Sequence, residues 1–271
     1  MGIRILAVTV LFFLTYGALA DDFYSYYSPL WGLNHITLNP QATEVHLLMD
    51  KSSGAGFRSK SHYGSGIFRI DMQISERKTK GIVTSFYLTS APDNQDPGNH
   101  FELDFEFLGT TGVVQTNVYD NDGGHREQSF KLPFDPSQGF HRYEILWNPT
   151  HIVFRIDGVP VREFRNIAGV AYPSLPMQIE ASIWDADWAG VVDWSQAPFV
   201  SKYSNFHLYG CESQGSSIRN CGSQGYFWNS FNKLTAAERY QMMEYRRRYM
   251  SYDYCSNPNS RKPECSFNNY D

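Results

Sequence analysis

Ionisable and apolar side chains alternate without a break from His100 to Phe107, in a run that ends with Leu108 and Gly109. At the two-residue period of a β-strand, one face of this stretch carries His100, Glu102, Asp104 and Glu106, and the opposite face is apolar. Neighbouring carboxylates repel one another and raise each other's proton affinity, which costs stability. A strand with a purely structural role has no reason to carry three of them, so the acidic face is predicted to line a cleft or to face water.

Glycoside hydrolysis is the chemistry that uses such a pattern. A retaining glycosidase holds two carboxyl groups about 5–5.5 Å apart, one as nucleophile and one as general acid/base. The Cα atoms of Glu102 and Glu106 lie about 13 Å apart on an extended strand, and on a concave sheet their side chains lean together. Asp104, between them, is expected to hold the nucleophile and to keep the acid protonated through like-charge coupling. The alternatives are a solvated acidic face and a calcium site, but the run lacks the internal glycines or turns that a calcium loop needs.

Short strand patterns separated by turn signals extend from Asp21 to Tyr203 without a helix pattern between them. They predict ten strands: Glu44–Met49, Gly66–Ile74, Ile82–Leu88, Phe101–Leu108, Val113–Tyr119, Gln128–Leu132, His141–Trp147, Ile152–Ile156, Val161–Phe164 and Met177–Trp184. Asp157-Gly158 is expected to join two of them as a tight hairpin. Such a chain predicts an all-β sandwich of two antiparallel sheets, one of them curved into a groove.

The pattern changes after Phe206. Thr235-Ala236-Ala237-Glu238 has the form of a capping box and predicts a helix that ends near Met250. Three consecutive arginines at 246–248 fall in its last turns, where the helix dipole favours cations. A solvated helix end is therefore the preferred interpretation of these arginines, ahead of a basic binding patch.

All four cysteines lie in the last quarter of the chain. In an exported protein an even number of cysteines favours disulfides. Three pairings are possible, and the short loops favour Cys211–Cys221 together with Cys255–Cys265. A four-cysteine zinc site would use C-x-x-C pairs, which this sequence lacks, so we predict no metal site and no cofactor.

The first twenty residues have the form of a secretory signal peptide. Arg4 supplies the positive charge, an apolar run over 5–16 is too short to span a bilayer, and Ala18-Leu19-Ala20 resembles a cleavage site. The net charge of -5 and the pI near 5.9 give no reason to expect nucleic acid or an anionic membrane as partner. We therefore expect an exported protein that has no membrane segment once residues 1–20 are removed.

The run from His100 to Gly109 resembles the His-Asp-Glu-Ile-Asp-Phe-Glu-Phe-Leu-Gly signature of plant xyloglucan endotransglucosylase/hydrolases, which are concanavalin-like, β-jelly-roll glycoside hydrolases. Other family motifs follow in family order, including Gln115-Thr116-Asn117, Asn148-Pro149, Ser182-Ile183-Trp184, Ala197-Pro198-Phe199 and Tyr252-Asp253-Tyr254-Cys255. The resemblance covers essentially the whole mature chain. It implies a jelly-roll catalytic domain over 21–206, followed by a disulfide-stapled extension with one helix over 207–271.

The resemblance also implies roles for single residues. Glu102 is expected to be the nucleophile, Glu106 the acid/base, and Asp104 the helper between them. The implied substrate-binding residues are His100, Gln115, Thr116, Asn117, His125, Arg126, Glu127, Trp184, Asp187, Trp188, Tyr252 and Arg261. The pair Gln115 and Asn117 is assigned to the donor side of the groove with Arg126-Glu127; Trp184 is placed beside the scissile bond. The acceptor side is assigned to Trp188, Tyr252 and Arg261.

Four departures from the family pattern are visible. Phe101 replaces the usual Asp but points away from the acidic face, and His125 stands where an Asp is common. No Asn-x-Ser/Thr acceptor remains in the chain, because Thr110-Thr111-Gly112 follows Leu-Gly where the family often carries one. The loop after Trp188 is shorter than the family's glycine-rich loop. These changes affect the rim of the expected groove more than its acidic strand.

The resemblance implies a monomeric enzyme, secreted to the cell wall or apoplast, that cleaves the β-1,4-glucan backbone of xyloglucan by a retaining double displacement. Its partners would be a xyloglucan donor and a xyloglucan or oligosaccharide acceptor, and water as acceptor would give hydrolysis instead of transfer. A non-catalytic, lectin-like glucan-binding sandwich is the competing hypothesis, because one fold hosts several functions. A structural wall protein is a third, and it predicts neither turnover nor a groove.

Overall fold

The computed structural model describes residues 21–92, 98–215, 217–223 and 225–267, and the predicted signal peptide at 1–20 lies outside them. The described chain forms sixteen strands: β1 Tyr27–Trp31, β2 Ile36–Leu38, β3 Glu44–Met49, β4 Ala55–Ser59, β5 Tyr63–Gln73, β6 Ile82–Thr89, β7 His100–Leu108, β8 Val113–Asp122, β9 Gln128–Lys131, β10 His141–Trp147, β11 His151–Ile156, β12 Val159–Arg165, β13 Gln178–Asp185, β14 Phe199–Ser204, β15 Tyr209–Glu212 and β16 Met250–Asp253. Its α-helices are α1 Phe23–Tyr26, α2 Arg219–Ser223 and α3 Ala236–Tyr249. Short 3₁₀ turns join several of these elements.

The strands form two antiparallel sheets. Sheet A has the order β1-β4-β13-β6-β7-β8-β9-β16, and sheet B has the order β12-β11-β10-β5-β14-β3-β2 with β15 also paired to β5. All ten predicted strands are present, and the all-β sandwich prediction is confirmed. The predicted hairpin is also confirmed, since Asp157 and Gly158 both have positive φ and β11 pairs with β12 on either side of them.

The apolar face of β7 forms part of the core between the sheets. Leu103, Phe105 and Phe107 are fully or almost fully buried. The ring of Phe105 lies 5.4 Å from Tyr143 of β10 and 5.3 Å from Phe154 of β11, both in sheet B. Each buried large apolar side chain contributes about 1.5–3 kcal/mol to folding. Burial of this face fixes the register of β7 and therefore aims its acidic residues away from sheet B.

The chain after Phe206 packs against both sheets. Strand β15 pairs with β5 of sheet B, and β16 pairs with β9 at the edge of sheet A. Leu146 and Val153 of sheet B pack in a second apolar cluster with Trp228, Leu234 and Met242. Both predicted disulfides, Cys211–Cys221 and Cys255–Cys265, are confirmed.

The predicted capping box begins α3, because the Thr235 side chain and the Glu238 side chain each bond the other's backbone. Among the arginines near its end, Arg247 and Arg248 pair with Glu244 in solvent-exposed contacts. Arg246 differs from them, since it donates to Gln128 Oε1 at 2.8 Å and so connects α3 to β9. Within the described residues, no helix is long and apolar enough to cross a membrane.

Candidate active site

The candidate site lies on the face of sheet A that is turned away from sheet B, which we call the groove face. Because paired residues of antiparallel strands share a face, the registers of β6, β7 and β8 place Tyr87, Asp104 and Asn117 in one row across it. Glu102 and Glu106 lie in the rows on either side of Asp104. Polar side chains of this outer face are poorly exposed, Asp104 at 3%, as expected where a sheet curves around them.

Three carboxyl groups on one strand face alter each other's proton affinity. Burial, followed by the charges of Glu102 and Glu127, raises the pKa of Glu106 to about 7. Burial, followed by the charges of Glu106 and Glu102, raises the pKa of Asp104 well above its ordinary value. A carboxyl group with a pKa near 7 is suited to donate and accept a proton at neutral pH. The arrangement therefore offers an acid/base next to a carboxylate that can act as a nucleophile.

His100 contacts Glu102 at the start of the strand. Its Nε2 lies 3.4 Å from Oε2 of Glu102, and its Nδ1 lies 2.9 Å from the carbonyl oxygen of Gly98. The imidazole stacks on Tyr119, with ring centroids 4.9 Å apart. The hydrogen bond to Glu102 is the largest cause of a raised His100 pKa. His100 thus touches the proposed nucleophile directly and is not an isolated core residue.

On the next strand, Gln115 and Asn117 lie on the groove face as expected. Ser129 donates to Oε1 of Gln115 at 3.2 Å, and Asn117 lies 3.5 Å from Glu127. Thr116 is different, because it points to the opposite face of β8 and is fully buried. Its hydroxyl accepts a hydrogen bond from Arg162 at 3.0 Å. The prediction that Thr116 binds substrate is therefore wrong; it holds a cation beneath the groove.

The prediction that Arg126 binds substrate is also corrected. Its side chain is 6% exposed, its Nε lies 2.6 Å from Glu264 Oε1, and its Nη1 lies 3.0 Å from Asp122. These contacts join the β8–β9 turn to the C-terminal segment, so the guanidinium is not available to sugar. The neighbouring His125 is exposed and has a positive φ of 62°. Glu127 is partly exposed, and its charge acts on Glu106.

The predicted tryptophans lie on the other side of β7. Trp184 is paired with Val83, which is paired with Leu108 at the end of β7. Its indole meets that of Trp188 at 6.1 Å in an edge-to-face contact. Trp188 is 60% exposed and stands in a 3₁₀ turn, Asp187–Ala189, that also exposes Asp187. A large exposed aromatic beside a polar groove is suited to stacking on a sugar ring.

The strand order divides the groove face into two halves. Strands β8, β9 and β16 form what we call the extension half, and β6, β13, β4 and β1 form the β13 half. Gln115 pairs with Ser129, and Ser129 pairs with Tyr252, so all three belong to the extension half. Gln115 and Tyr252 therefore lie on the same side of β7, whereas the prediction assigned them to opposite sides of the scissile bond. Trp188, in contrast, does not share a half with Tyr252.

Arg261 is exposed in the loop before the 3₁₀ turn Pro263–Ser266. The described residues show no ion pair between Arg261 and the acidic strand. Its neighbour Lys262 reaches Asp122 at 3.6 Å, which fixes this loop close to the β8–β9 turn. Arg261 therefore lies on the extension side of the molecule, at its rim.

Several groove-face residues were not predicted. Tyr87, Glu180 and Arg58 continue the row of Asp104 across β6, β13 and β4. At the β1 edge of sheet A, the indole of Trp31 lies close over Gly56. A Cβ at position 56 would stand only 2.5 Å from the indole nitrogen, so the contact needs a glycine there. The alternation of Gln178, Glu180 and Ser182 with apolar residues in β13 was the available signal for Glu180; the strand was predicted, but its polar face was not assigned to the groove.

Comparison with known proteins agrees with this geometry. The family model for glycosyl hydrolases family 16 matches residues 23–205. Xyloglucan endotransglucosylase/hydrolase protein 2 of Arabidopsis thaliana is 47% identical over 253 residues, which cover 88% of this chain and 85% of that protein. A probable xyloglucan endotransglucosylase/hydrolase 1 of Solanum lycopersicum is 39% identical over 251 residues, covering 86% of this chain and 83% of that protein.

Solved structures agree in fold. The β-glucanase of Bacillus licheniformis superposes with a TM-score of 0.59 and 25% identity over 69% of this chain and 92% of that chain. A prokaryotic β-1,3-1,4-glucanase (lichenase) from a mouse hindgut metagenome gives a TM-score of 0.57 and 27% identity, over 68% and 92%. The chain therefore belongs to glycosyl hydrolases family 16 and, within it, to the xyloglucan endotransglucosylase/hydrolase proteins.

Proposed function

We propose that this protein cleaves the β-1,4-glucan backbone of xyloglucan with retention of configuration and transfers the cleaved chain to another xyloglucan or to water. The observation that carries the proposal is the placement of Glu102 and Glu106 on one face of the central strand of a family 16 sheet. The relatives named for xyloglucan endotransglucosylase/hydrolase activity supply the substrate class.

In the first step a carboxylate oxygen of Glu102 attacks the anomeric carbon, and Glu106 gives its proton to the departing glycosidic oxygen. The C–O bond to the leaving sugar breaks as an ester bond to Glu102 forms. Asp104 lies between the two, and His100 holds Glu102 from the other side. The raised pKa of Glu106 keeps it partly protonated at neutral pH, as this step requires.

In the second step Glu106, now a carboxylate, takes a proton from the incoming hydroxyl. The oxygen of that hydroxyl attacks the anomeric carbon and releases Glu102. A sugar hydroxyl gives a religated chain, and water gives a hydrolysed one. The balance depends on how well sugar is held in position relative to the access of water.

We assign the extension half to the acceptor and the β13 half to the donor. Gln115, Asn117, Glu127, Tyr252 and Arg261 would then contact acceptor sugar, and Trp184 and Trp188 with Asp187 would contact donor sugar. This follows from the family resemblance of Tyr252 together with the strand order. In this proposal residues 21–206 form the catalytic domain and 207–271 lengthen the acceptor half with β16.

The same proposal places the mature protein in the plant cell wall as a secreted monomer. Its support is the signal-peptide pattern of residues 1–20 and the family to which the chain belongs. A groove that recognises neutral polysaccharide agrees with a modest net charge of -5, which does not favour nucleic acid.

The test is an incubation of the purified protein with xyloglucan and a labelled xyloglucan oligosaccharide. Label entering the polymer measures transfer, and new reducing ends measure hydrolysis, because transfer creates none. We expect label incorporation that depends on both substrates. If neither label incorporation nor new reducing ends appear, while the oligosaccharide still binds, the protein is a lectin and the proposal is wrong.

A further inference from the structure

Glu180 is a carboxylate on the groove face that the mechanism does not use. It lies in β13, two strands from β7, and is 7% exposed. Its Oε2 accepts a hydrogen bond from the Tyr87 hydroxyl at 2.6 Å. Arg58 stands directly opposite Glu180 in the register of β4 and β13, on the same face.

Retention of a charge at this position has an energetic cost. Burial raises the pKa of Glu180, and the charge of Glu102 acts in the same direction. The Tyr87 hydrogen bond and the charge of Arg58 oppose this effect and favour the carboxylate. The sheet core does not need the group, since β13 buries its apolar residues on the other face. A costly carboxylate on the groove floor points to a ligand contact.

The spacing of the strands sets which part of a ligand would reach it. Neighbouring strands lie about 4.8 Å apart, so β13 is about 10 Å from β7. A glucan chain that lies across the strands with its scissile bond at β7 extends roughly two sugar units over that distance. The Tyr87 hydroxyl holds one oxygen of Glu180, and the carboxylate retains further lone pairs for sugar hydroxyls.

We propose that Glu180, together with Arg58, is a specificity-determining pair that binds hydroxyl groups of a neutral glucan about two units from the scissile bond, on the donor side. The pair accepts from one hydroxyl and donates to another, and Glu180 repels sugars that carry a carboxylate. This inference rests on the proposed function, because it uses the same groove and the same donor assignment.

The test compares wild type with Glu180→Gln on aryl β-glycosides of xyloglucan-derived oligosaccharides, whose aryl group leaves without help from an acceptor site. One donor has a single backbone glucosyl unit, which ends short of Glu180, and the other has four. We expect kcat/KM of Glu180→Gln to fall about 10- to 100-fold for the longer donor, with little change for the shorter one. Tyr87→Phe should show a smaller loss with the same length dependence.

A second measurement uses an aryl glycoside of an unsubstituted β-1,4-glucan, with or without oxidation to a carboxylate at C6 of the second sugar from the aryl group. In Glu180→Gln the charge of Arg58 attracts this carboxylate without an opposing charge from Glu180. The ratio of kcat/KM on the oxidised donor to kcat/KM on the neutral donor should therefore rise in this variant. Glu144→Gln, which removes a partly buried carboxylate from β10 of sheet B, is the matched control and should leave both the length dependence and the ratio unchanged.

The possible outcomes separate this inference from the proposed function. If Glu180→Gln loses kcat/KM equally on both donors, or loses none on the longer donor, the proposed role of Glu180 is wrong. Turnover by the wild type would still support the proposed function. An unchanged ratio of oxidised to neutral turnover also counts against the role of Glu180. A wild type that acts on neither polymer nor aryl donor contradicts the proposed function itself.

Discussion

Nε2 of His100 lies 3.4 Å from Oε2 of Glu102, at the start of the strand that carries Glu102, Asp104 and Glu106. The imidazole is also fixed by the carbonyl of Gly98 and by its stack on Tyr119. Because the ring is held on several sides, its contact restricts the orientation of the Glu102 carboxylate. We therefore expect the reactivity of Glu102 to depend on the position of His100.

Replacing His100 by Ala should lower kcat about 10- to 100-fold and change KM little, because Glu102 loses its alignment but the sugar contacts remain. Steady-state kinetics on xyloglucan with a labelled acceptor measures both values. His46→Ala, in β3 of sheet B, is the control and should be neutral. A His100→Ala variant with wild-type kcat would show that the contact has no orienting role.

Glu102→Ala should abolish turnover, with a loss of about 10⁴-fold or more, because no other group can form the ester intermediate. Circular dichroism should show the native fold, and oligosaccharide binding by calorimetry should persist. Removing the exposed carboxylate of Glu76 in the same way should leave activity intact. Substantial turnover by Glu102→Ala would refute its assignment as nucleophile.

Glu106→Gln should lose about 10²- to 10⁴-fold on xyloglucan, where the leaving sugar needs a proton. A donor with an activated aryl leaving group needs none, so the covalent intermediate should still form at Glu102. Mass spectrometry after reaction with a fluoro-sugar donor detects it. Equal losses on both donors would argue that Glu106 is not the acid.

The pH dependence follows from the pKa of Glu106, which is about 7. The first step needs the protonated form, so kcat/KM should fall as pH rises through about 7. Glu127→Gln removes a negative charge that raises this pKa, and the falling limb should therefore move to lower pH. Profiles of kcat/KM against pH for both proteins measure the shift. A limb that stays in place would exclude Glu127 as a cause.

Arg126→Ala should lower the free energy of unfolding by about 3–5 kcal/mol, because it leaves the buried Glu264 without its cation. Urea denaturation measures this loss. Arg247→Ala breaks an exposed pair with Glu244 and should leave the free energy of unfolding almost unchanged. If Arg126→Ala instead kept its stability and raised KM, the residue would belong to the substrate site after all.

Local sequence pattern was sufficient for most of the fold. Strand β7 was predictable because alternation and an uninterrupted apolar face agree over nine residues. Strand β4 was missed because Ala55 and Gly56 have low strand propensity, and β1 because it contains Pro29. The position of β1 at the edge of sheet A explains why a proline is tolerated there.

The site was predictable along a strand but not across strands. The two-residue period of a single strand is enough to place Glu102, Asp104 and Glu106 on one face. Thr116 was misplaced because it was grouped with its sequence neighbours, although it lies on the opposite face of β8 from them. Arg126 was misassigned because its partner Glu264 is 138 residues away, and no local pattern connects them. Long-range pairing of this kind appears only once the chain is folded.

Trp31 and Tyr252 stand on β1 and β16, the two edge strands of sheet A, and both side chains are partly exposed. The groove between them is therefore open at each end. A polymer enters such a groove sideways and does not have to be threaded by a free terminus. We therefore expect polysaccharide chains that are anchored at both ends in a crosslinked network to be accessible to cleavage in their interior.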